Sequence, residues 1–323
     1  MIDRNAKVTE LRDALNEFDL DRIAGLFQLP PVAPTRTRSN GGGDANTITL
    51  IDHGLDWSTT LTYHCNAVDA ALRGDALAMF EAQLTMHNAF HVVFSASSGN
   101  WLVPTLHMIC RMTHRAAVCA DQAANRSSSS NSKNNSSSSK DANANLQKAV
   151  TVLQESYSKT SNDRREYRPG AALDDEEGSK KAGVLSIVNE LFAIYFRLNT
   201  LRLCKNLLRP VESRKLHEQG KMSEMVTYRY YVGRLFLFED QYQAAEENLD
   251  YALQHCHKDA VANKQRILRY LLPVKLYRGR LPSPKLMSKY SLKEFLPIVQ
   301  GVRTGDLRMF QDGLVQYQDL FIQ

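Results

Sequence analysis

His107, Cys110 and His114 stand at spacing i, i+3, i+7, with Cys119 further along the same segment. Residues so spaced share one face of a helix, and imidazole and thiolate are the ligands zinc prefers, so this face could in principle hold a metal ion. No second set of ligands at metal spacing accompanies it, however, and a cysteine on a helical face packs as a small hydrophobe. The favoured reading is an interior face with no metal. An enzyme built on these residues is the weakest of three functional readings, because no supporting shell for them is visible. His255, Cys256 and His257 are consecutive. On a helix each is turned by about 100° from the next, so they cannot converge on one ion. They suit a helix end, where a histidine meets the negative end of the dipole.

The second constellation is cationic. Lys264, Arg266, Arg269, Lys275, Arg278 and Arg280 fall in a stretch that contains no Asp or Glu. Two readings of it stay open. The cations are either a solvated face around Ile267, Leu268, Leu271, Leu272 and Leu276, or a surface for RNA phosphates or an acidic peptide. Tyr270 and Tyr277, interleaved with the cations, would supply stacking area for the second. These six residues are the candidate nucleic-acid or acidic-partner contacts. The net charge of the whole chain is a mild +5, so their local concentration matters more than the total.

The Gly-rich phosphate loop, the Gly-x-Gly-x-x-Gly turn, the His-Glu-x-x-His helix and the Gly-x-Ser-x-Gly elbow are all absent from the sequence, and with them the common nucleotide, zinc-protease and hydrolase chemistries. No catalytic residue, cofactor or small-molecule substrate is predicted. The five cysteines, Cys65, Cys110, Cys119, Cys204 and Cys256, are odd in number and never form a Cys-x-x-Cys pair. That argues for a reducing compartment rather than a disulfide framework. Met1 to Leu15 mixes charges with apolar residues and lacks a signal-peptide core. Val184 to Phe196 is too short to span a bilayer and is interrupted by Asn189 and Glu190, so no membrane association is expected.

The elements that must position these residues read as helices. Apolar residues recur every three or four positions, as in Val184, Ile187, Val188, Leu191, Tyr195 and Leu198, followed by Leu201, Leu203 and Leu207. Pro210 suits the end of that run because it lacks a donor. Thr227 to His257 follows the spacing of a tetratricopeptide-type hairpin: Val232, Gly233 and Phe236, then Tyr242 near the turn, then Ala245, Leu249 and Ala252. Arg73-Gly74-Asp75 before Met79 and Phe80, and Thr304-Gly305-Asp306 before Met309 and Phe310, repeat the turn signal in which Gly ends one helix and Asp begins the next. The expected fold is all-α, a right-handed superhelix of stacked helical hairpins.

Two breaks interrupt it. Pro30 to Asn46 has the composition of a mobile loop, and Ser127 to Lys140 that of a flexible polar insert; the sequons at Asn125, Asn134 and Asn135 are expected to be silent. The predicted division is an N-terminal helical region over 1–126, the Ser/Asn-rich insert over 127–145, and a helical-repeat region over 146–323.

Several segments taken together resemble the PCI-domain family. They are Asn100-Trp101-Leu102-Val103-Pro104, Ser179-Lys180-Lys181, Val188-Asn189-Glu190-Leu191-Phe192, Tyr195-Phe196-Arg197-Leu198-Asn199 with Leu203-Cys204-Lys205, and Tyr228 to Arg234. Further ones are Ala245-Glu246-Glu247-Asn248-Leu249, His255-Cys256-His257, Asn263-Lys264, Tyr270 to Lys275 and Gly279-Arg280-Leu281-Pro282. The family includes the mRNA-export subunit of transcription-and-export complex two and the signalosome-subunit-twelve-like proteins. The resemblance runs from about Asn100 to the end and is loose before that. It implies helical repeats capped by a winged helix. The chain stops at Leu320-Phe321-Ile322-Gln323, where relatives continue, so the winged helix is expected to be missing, as in a fragment or a truncated gene model. It also implies a non-enzymatic scaffold in the nucleus, on the nuclear-pore side and with some cytoplasmic presence. Its expected partners are a large helical scaffold of the export complex, a small acidic Sem-type protein, and RNA or DNA. The alternative is a signalosome-like or proteasome-lid-like scaffold concerned with protein turnover.

Overall fold

The computed structural model describes residues 3–17, 19–32, 49–131, 143–166, 178–216 and 220–321. Most of Pro30–Asn46 and of Ser127–Lys140, with the sequons at Asn134 and Asn135, lies outside them. The chain forms two compact units, Met1–Gly220 and Lys221–Gln323.

The first unit holds α1 (Arg4–Asn16), α2 (Leu20–Leu26), α3 (Ser58–Arg73), α4 (Ala76–Ala96), α5 (Val103–Asn131), α6 (Ala144–Ser161), α7 (Val184–Arg197) and α8 (Leu201–Ser213). A two-residue ladder, β1 (Ile51–Asp52) with β2 (Leu55–Asp56), pairs Ile51 with Asp56 and Asp52 with Leu55. From α3 to α8 each helix packs on the next in the chain, the nearest-neighbour order of stacked helical hairpins. Phe27, Trp57, Phe90 and Phe94 are fully buried at one end of this stack. The second unit holds α9 (Met222–Phe238), α10 (Tyr242–His255), α11 (Val261–Tyr277), α12 (Pro284–Lys289), α13 (Leu296–Thr304), α14 (Leu307–Gln316) and α15 (Gln318–Phe321). Leu249, Ile267, Leu268, Leu271, Leu272, Leu292 and Phe295 form its core. No helix among the described residues is long and apolar enough to cross a membrane.

The turn signals act as the sequence predicts. Gly74 ends α3 at φ 80 and Asp75 accepts the Ala78 N–H at 3.0 Å. Gly305 ends α13 at φ 71, and Asp306 caps α14 through the N–H groups of Arg308 and Met309. Left-handed backbone favours glycine, and the carboxylate satisfies donors the new helix leaves unpaired. In the hairpin of α9 and α10, a Cβ on Gly233 would lie 2.7 Å from Leu249 Cγ and 3.3 Å from the Ala245 carbonyl oxygen. The small residue is what lets the two helices touch.

Three details differ from expectation. Pro210 does not end a helix: α8 continues to Ser213. Burial of Leu207, Leu208 and Val211 outweighs the loss of one hydrogen bond in the last turn, where little helix remains to be disrupted. The apolar stripe of α8 is Cys204, Leu207, Leu208 and Val211, while Leu203 is 39% exposed. In α9 Leu235 is buried with Val232 and Gly233, and Phe236 is only half-buried.

The Ser/Asn insert joins two helices of one unit. α5 runs to Asn131, into the stretch read as flexible, because extending a formed helix costs far less than nucleating one. Across the insert, buried Asp121 of α5 accepts the N–H groups of Asn145 (3.1 Å) and Leu146 (3.0 Å) and so caps the start of α6.

Candidate functional site

The six candidate cations lie on and just after α11, whose orientation follows from the burial of Ile267, Leu268, Leu271, Leu272 and Val274. At about 100° per residue, Lys264 and Lys275 fall on one strip of this helix, and Arg266 and Arg269 lie together on the opposite side. The stretch is therefore not one basic face.

Most of its charge is also matched. Lys275 Nζ lies 2.7 Å from Asp250 Oδ1, and Arg278 and Arg280 donate to the two oxygens of Glu246 at 2.6 and 2.8 Å. Both acids are on α10, and the Glu246 side chain is only 3% exposed. Arg269 Nε reaches Glu294 Oε1 at 3.5 Å. These contacts tie α11 and its C-terminal turn to α10 and to the short helical turn Lys293–Phe295. The side chains of Lys264 and Arg266 make no ion pair or hydrogen bond among the described residues, and Arg266 is exposed.

The interleaved tyrosines separate as well. Tyr270 turns towards α9, where the Arg234 guanidinium lies 4.4 Å from its ring and 5.5 Å from that of Tyr230. Arg234 also donates to the Tyr230 hydroxyl at 3.4 Å. Burial pushes the Tyr230 phenol up, against the opposing pull of Arg234. Tyr277 is 71% exposed and lies with its ring 4.2 Å from that of Tyr242. Arg266 and Tyr277, within about 20° of each other on α11, are thus exposed together on one side, and half-buried Lys264 lies on the other.

The structure separates the possible metal ligands of α5. Cys110 is buried and points at α4, with its sulfur 3.8 Å from His87 Nε2. His114 Nδ1 instead lies 2.7 Å from Glu190 Oε2 of α7. His107 is half-buried and Cys119 is partly exposed. Among the described residues no group of three or more His, Cys, Asp or Glu is arranged to hold a metal ion. Burial pushes the Cys110 thiol up to about 12, so it is protonated and a poor nucleophile at neutral pH. His255 stacks on Tyr251 at 4.0 Å near the end of α10, Cys256 is buried, and His257 faces Asp259. This is the divergence expected of consecutive residues.

One polar cluster was not anticipated from the sequence. His87 and His91 of α4, Thr113 of α5 and Ser156 of α6 are all buried and joined. Thr113 Oγ1 donates to the Ile109 carbonyl at 2.9 Å, so it accepts from Gln83 Nε2 and from His87 Nδ1. Ser156 Oγ lies 2.9 Å from His87 Nε2, 2.7 Å from His91 Nε2 and 3.2 Å from the Val152 carbonyl, so it joins the two rings to α6. Burial holds His87 well below the usual imidazole range and His91 at about 4, so both rings are neutral at pH 7. The available signal was the i, i+4 pair of histidines in the otherwise apolar run of α4, whose polar atoms had to find partners when buried.

No family model matches the chain. It is 33% identical over 261 residues to PCI domain-containing protein 2 of Xenopus laevis, a match covering 80% of this chain and 61% of that protein. It is 32% identical over 260 residues to enhanced ethylene response protein 5 of Arabidopsis thaliana, covering 80% and 54% respectively. A third relative, the protein CSN12 homolog of Mycosarcoma maydis, is 34% identical over 243 residues, covering 73% and 52%. The chain thus matches between half and three-fifths of the length of these curated relatives. Over four-fifths of its length the chain is thus similar to PCI domain-containing proteins, and its helices from α3 to α8 pack in chain order.

Proposed function

We propose that this chain is a non-enzymatic PCI scaffold subunit of a nuclear complex that couples transcription to mRNA export at the nuclear pore, binding protein partners and contributing to RNA binding. The observation that carries the reading is the similarity to PCI domain-containing protein 2 over 80% of the chain. The stack of hairpins supports it physically, because nearest-neighbour packing leaves long exposed flanks on which other chains can dock. The proposed partners are a large helical scaffold protein of the export complex, a small acidic Sem-type protein that orders on binding, and RNA or DNA. Lys264 and Arg266 are the members of the α11 stretch that retain unmatched charge for such a partner.

A second reading, a signalosome-like or proteasome-lid-like scaffold in protein turnover, is favoured by the similarity to the CSN12 homolog. Affinity purification of the tagged full-length protein from nuclear extract, with mass spectrometry before and after ribonuclease treatment, separates the two. Recovery of a large helical scaffold, a small acidic protein and pore components is expected. Recovery of signalosome or proteasome-lid subunits without RNA would replace the first reading with the second.

A further inference from the structure

The α11 cations are mostly matched, whereas the side chains of Arg202 and Arg209 on α8 stand outside any ion pair among the described residues. Cys204, Leu207, Leu208 and Val211 bury one side of α8. At about 100° per residue, Arg202, Lys205 and Arg209 all fall within about 60° of one another on the opposite, exposed side. Arg202 and Arg209 are seven residues apart, which is about 10 Å along the axis. Arg197, exposed at the end of α7, precedes them by one short turn. The side chains of Arg197, Arg202 and Arg209 make no ion pair or hydrogen bond among the described residues. Between Arg197 and Lys215 six cations face a single acid, Glu212. Arg202 lies in the first turn of α8, where a cation opposes the helix dipole, so helix stability does not account for it.

We infer that the exposed ridge formed by Arg197, Arg202, Lys205 and Arg209 is a contact surface for the phosphate backbone of single-stranded RNA. The proposal rests on the RNA-binding part of the function proposed above and assigns it to a surface distinct from α11. Polyanion chemistry fits the ridge better than a protein partner does. A peptide that docks stably needs an apolar anchor in a pocket, whereas the exposed side of α8 offers only Leu203 at its flank. Phosphates need charge alone, and guanidinium groups suit their geometry. From Arg197 to Lys215 there is no aromatic residue, so base stacking contributes nothing and binding is indifferent to sequence and steeply dependent on salt.

The test uses the 323-residue chain and a fluorescein-labelled 20-nucleotide oligo(U), with binding followed by anisotropy across a range of KCl concentrations. R202Q/R209Q is expected to weaken binding about tenfold or more at low salt. It is also expected to reduce the slope of log K against log salt by about 1.4, since each neutralised phosphate on a single strand contributes about 0.7. R202K/R209K should keep most of the affinity, and R303Q, at an exposed cation of α13, should change it less than twofold. Unchanged thermal unfolding of R202Q/R209Q shows that the loss is not a folding defect. Equal binding and equal slope for R202Q/R209Q would overturn the proposal, as would no binding by the wild-type chain. Competition by poly-glutamate as effective as that by unlabelled oligo(U) would also overturn it and assign the ridge to an acidic protein. The export reading is judged separately: co-purification of pore components would stand even if the ridge failed, and their absence would sink that reading whatever the ridge does.

Discussion

Asp121 accepts the backbone N–H of Leu146 at 3.0 Å, so a carboxylate on α5 caps the helix on the far side of the Ser/Asn insert. The first turn of α6 has no cap of its own, since Asn143 makes no side-chain capping bond. Asp121→Ala removes both acceptors and is expected to cost about 1–2 kcal/mol, the upper range for loss of a helix cap. Asp121→Asn keeps one carbonyl oxygen and should cost roughly half as much. Hydrogen exchange at the first amides of α6, with urea unfolding of the chain, measures both. Protection equal to wild type in the alanine variant would contradict the cap.

Gly233 faces Leu249 and the Ala245 carbonyl across the α9–α10 hairpin. A Cβ there meets Leu249 Cγ at 2.7 Å, and a branched side chain adds atoms the gap cannot hold. Gly233→Val is expected to destabilise the second unit by about 1–3 kcal/mol through overpacking. Gly233→Ala should cost less, because Leu249 is a side chain that can shift. Chemical denaturation of the two variants gives the order, and an alanine variant worse than the valine one would refute the close-approach argument.

Glu246 and its two arginines make an asymmetric set. Arg280 is 62% exposed and Arg278 29%, against 3% for Glu246. Losing Arg280 alone should cost under about 1 kcal/mol, because an exposed partner contributes little. Losing both arginines leaves a buried carboxylate with no counter-charge, and Arg278→Ala/Arg280→Ala is expected to cost about 3–5 kcal/mol. Removing the acid instead leaves two cations that can turn to water, so Glu246→Ala should be milder than the double arginine variant. Denaturant midpoints of these three variants and of Arg278→Ala check the ranking, and additive small losses from the two arginines would show that Glu246 does not depend on them.

The buried histidines of the first unit set a pH dependence. Burial holds His64 at about 4, with Lys7 adding to the effect. His91 is also at about 4, with Glu155 and Lys159 facing it, and His87 lies well below the usual value of 6.5. Between pH 6.5 and about 4 the unfolded chain binds protons at these rings and the folded chain does not, so stability falls as pH falls through that window. Each ring contributes up to about 1.4 kcal/mol per pH unit there. Above pH 7 the contribution is constant. Urea unfolding at pH 7.5 and pH 5 should show the drop, and His91→Gln should reduce the slope by close to one proton. A stability curve flat over this range would mean that the histidines are charged in the folded state.

The sequence by itself determined the helical class, the hairpin of α9 and α10, and the Gly-Asp turns at Gly74-Asp75 and Gly305-Asp306. Each of these depends on groups within a few residues of one another: side-chain periodicity on one helix, a left-handed glycine, a carboxylate reaching the N–H groups just ahead of it. Which cations remain available was a different matter. Lys275, Arg278 and Arg280 read as a basic run because the acids that match them, Asp250 and Glu246, lie 25 to 34 residues earlier and meet them only when α10 packs on α11. The tie from His87 to Ser156 spans 69 residues, and the separation of Cys110 from His114 follows from α5 facing α4 and α6 on one side and α7 on another. Tertiary structure decided these points because the Coulomb and hydrogen-bond energies involved act over a few ångströms in space, and helix packing alone sets those distances.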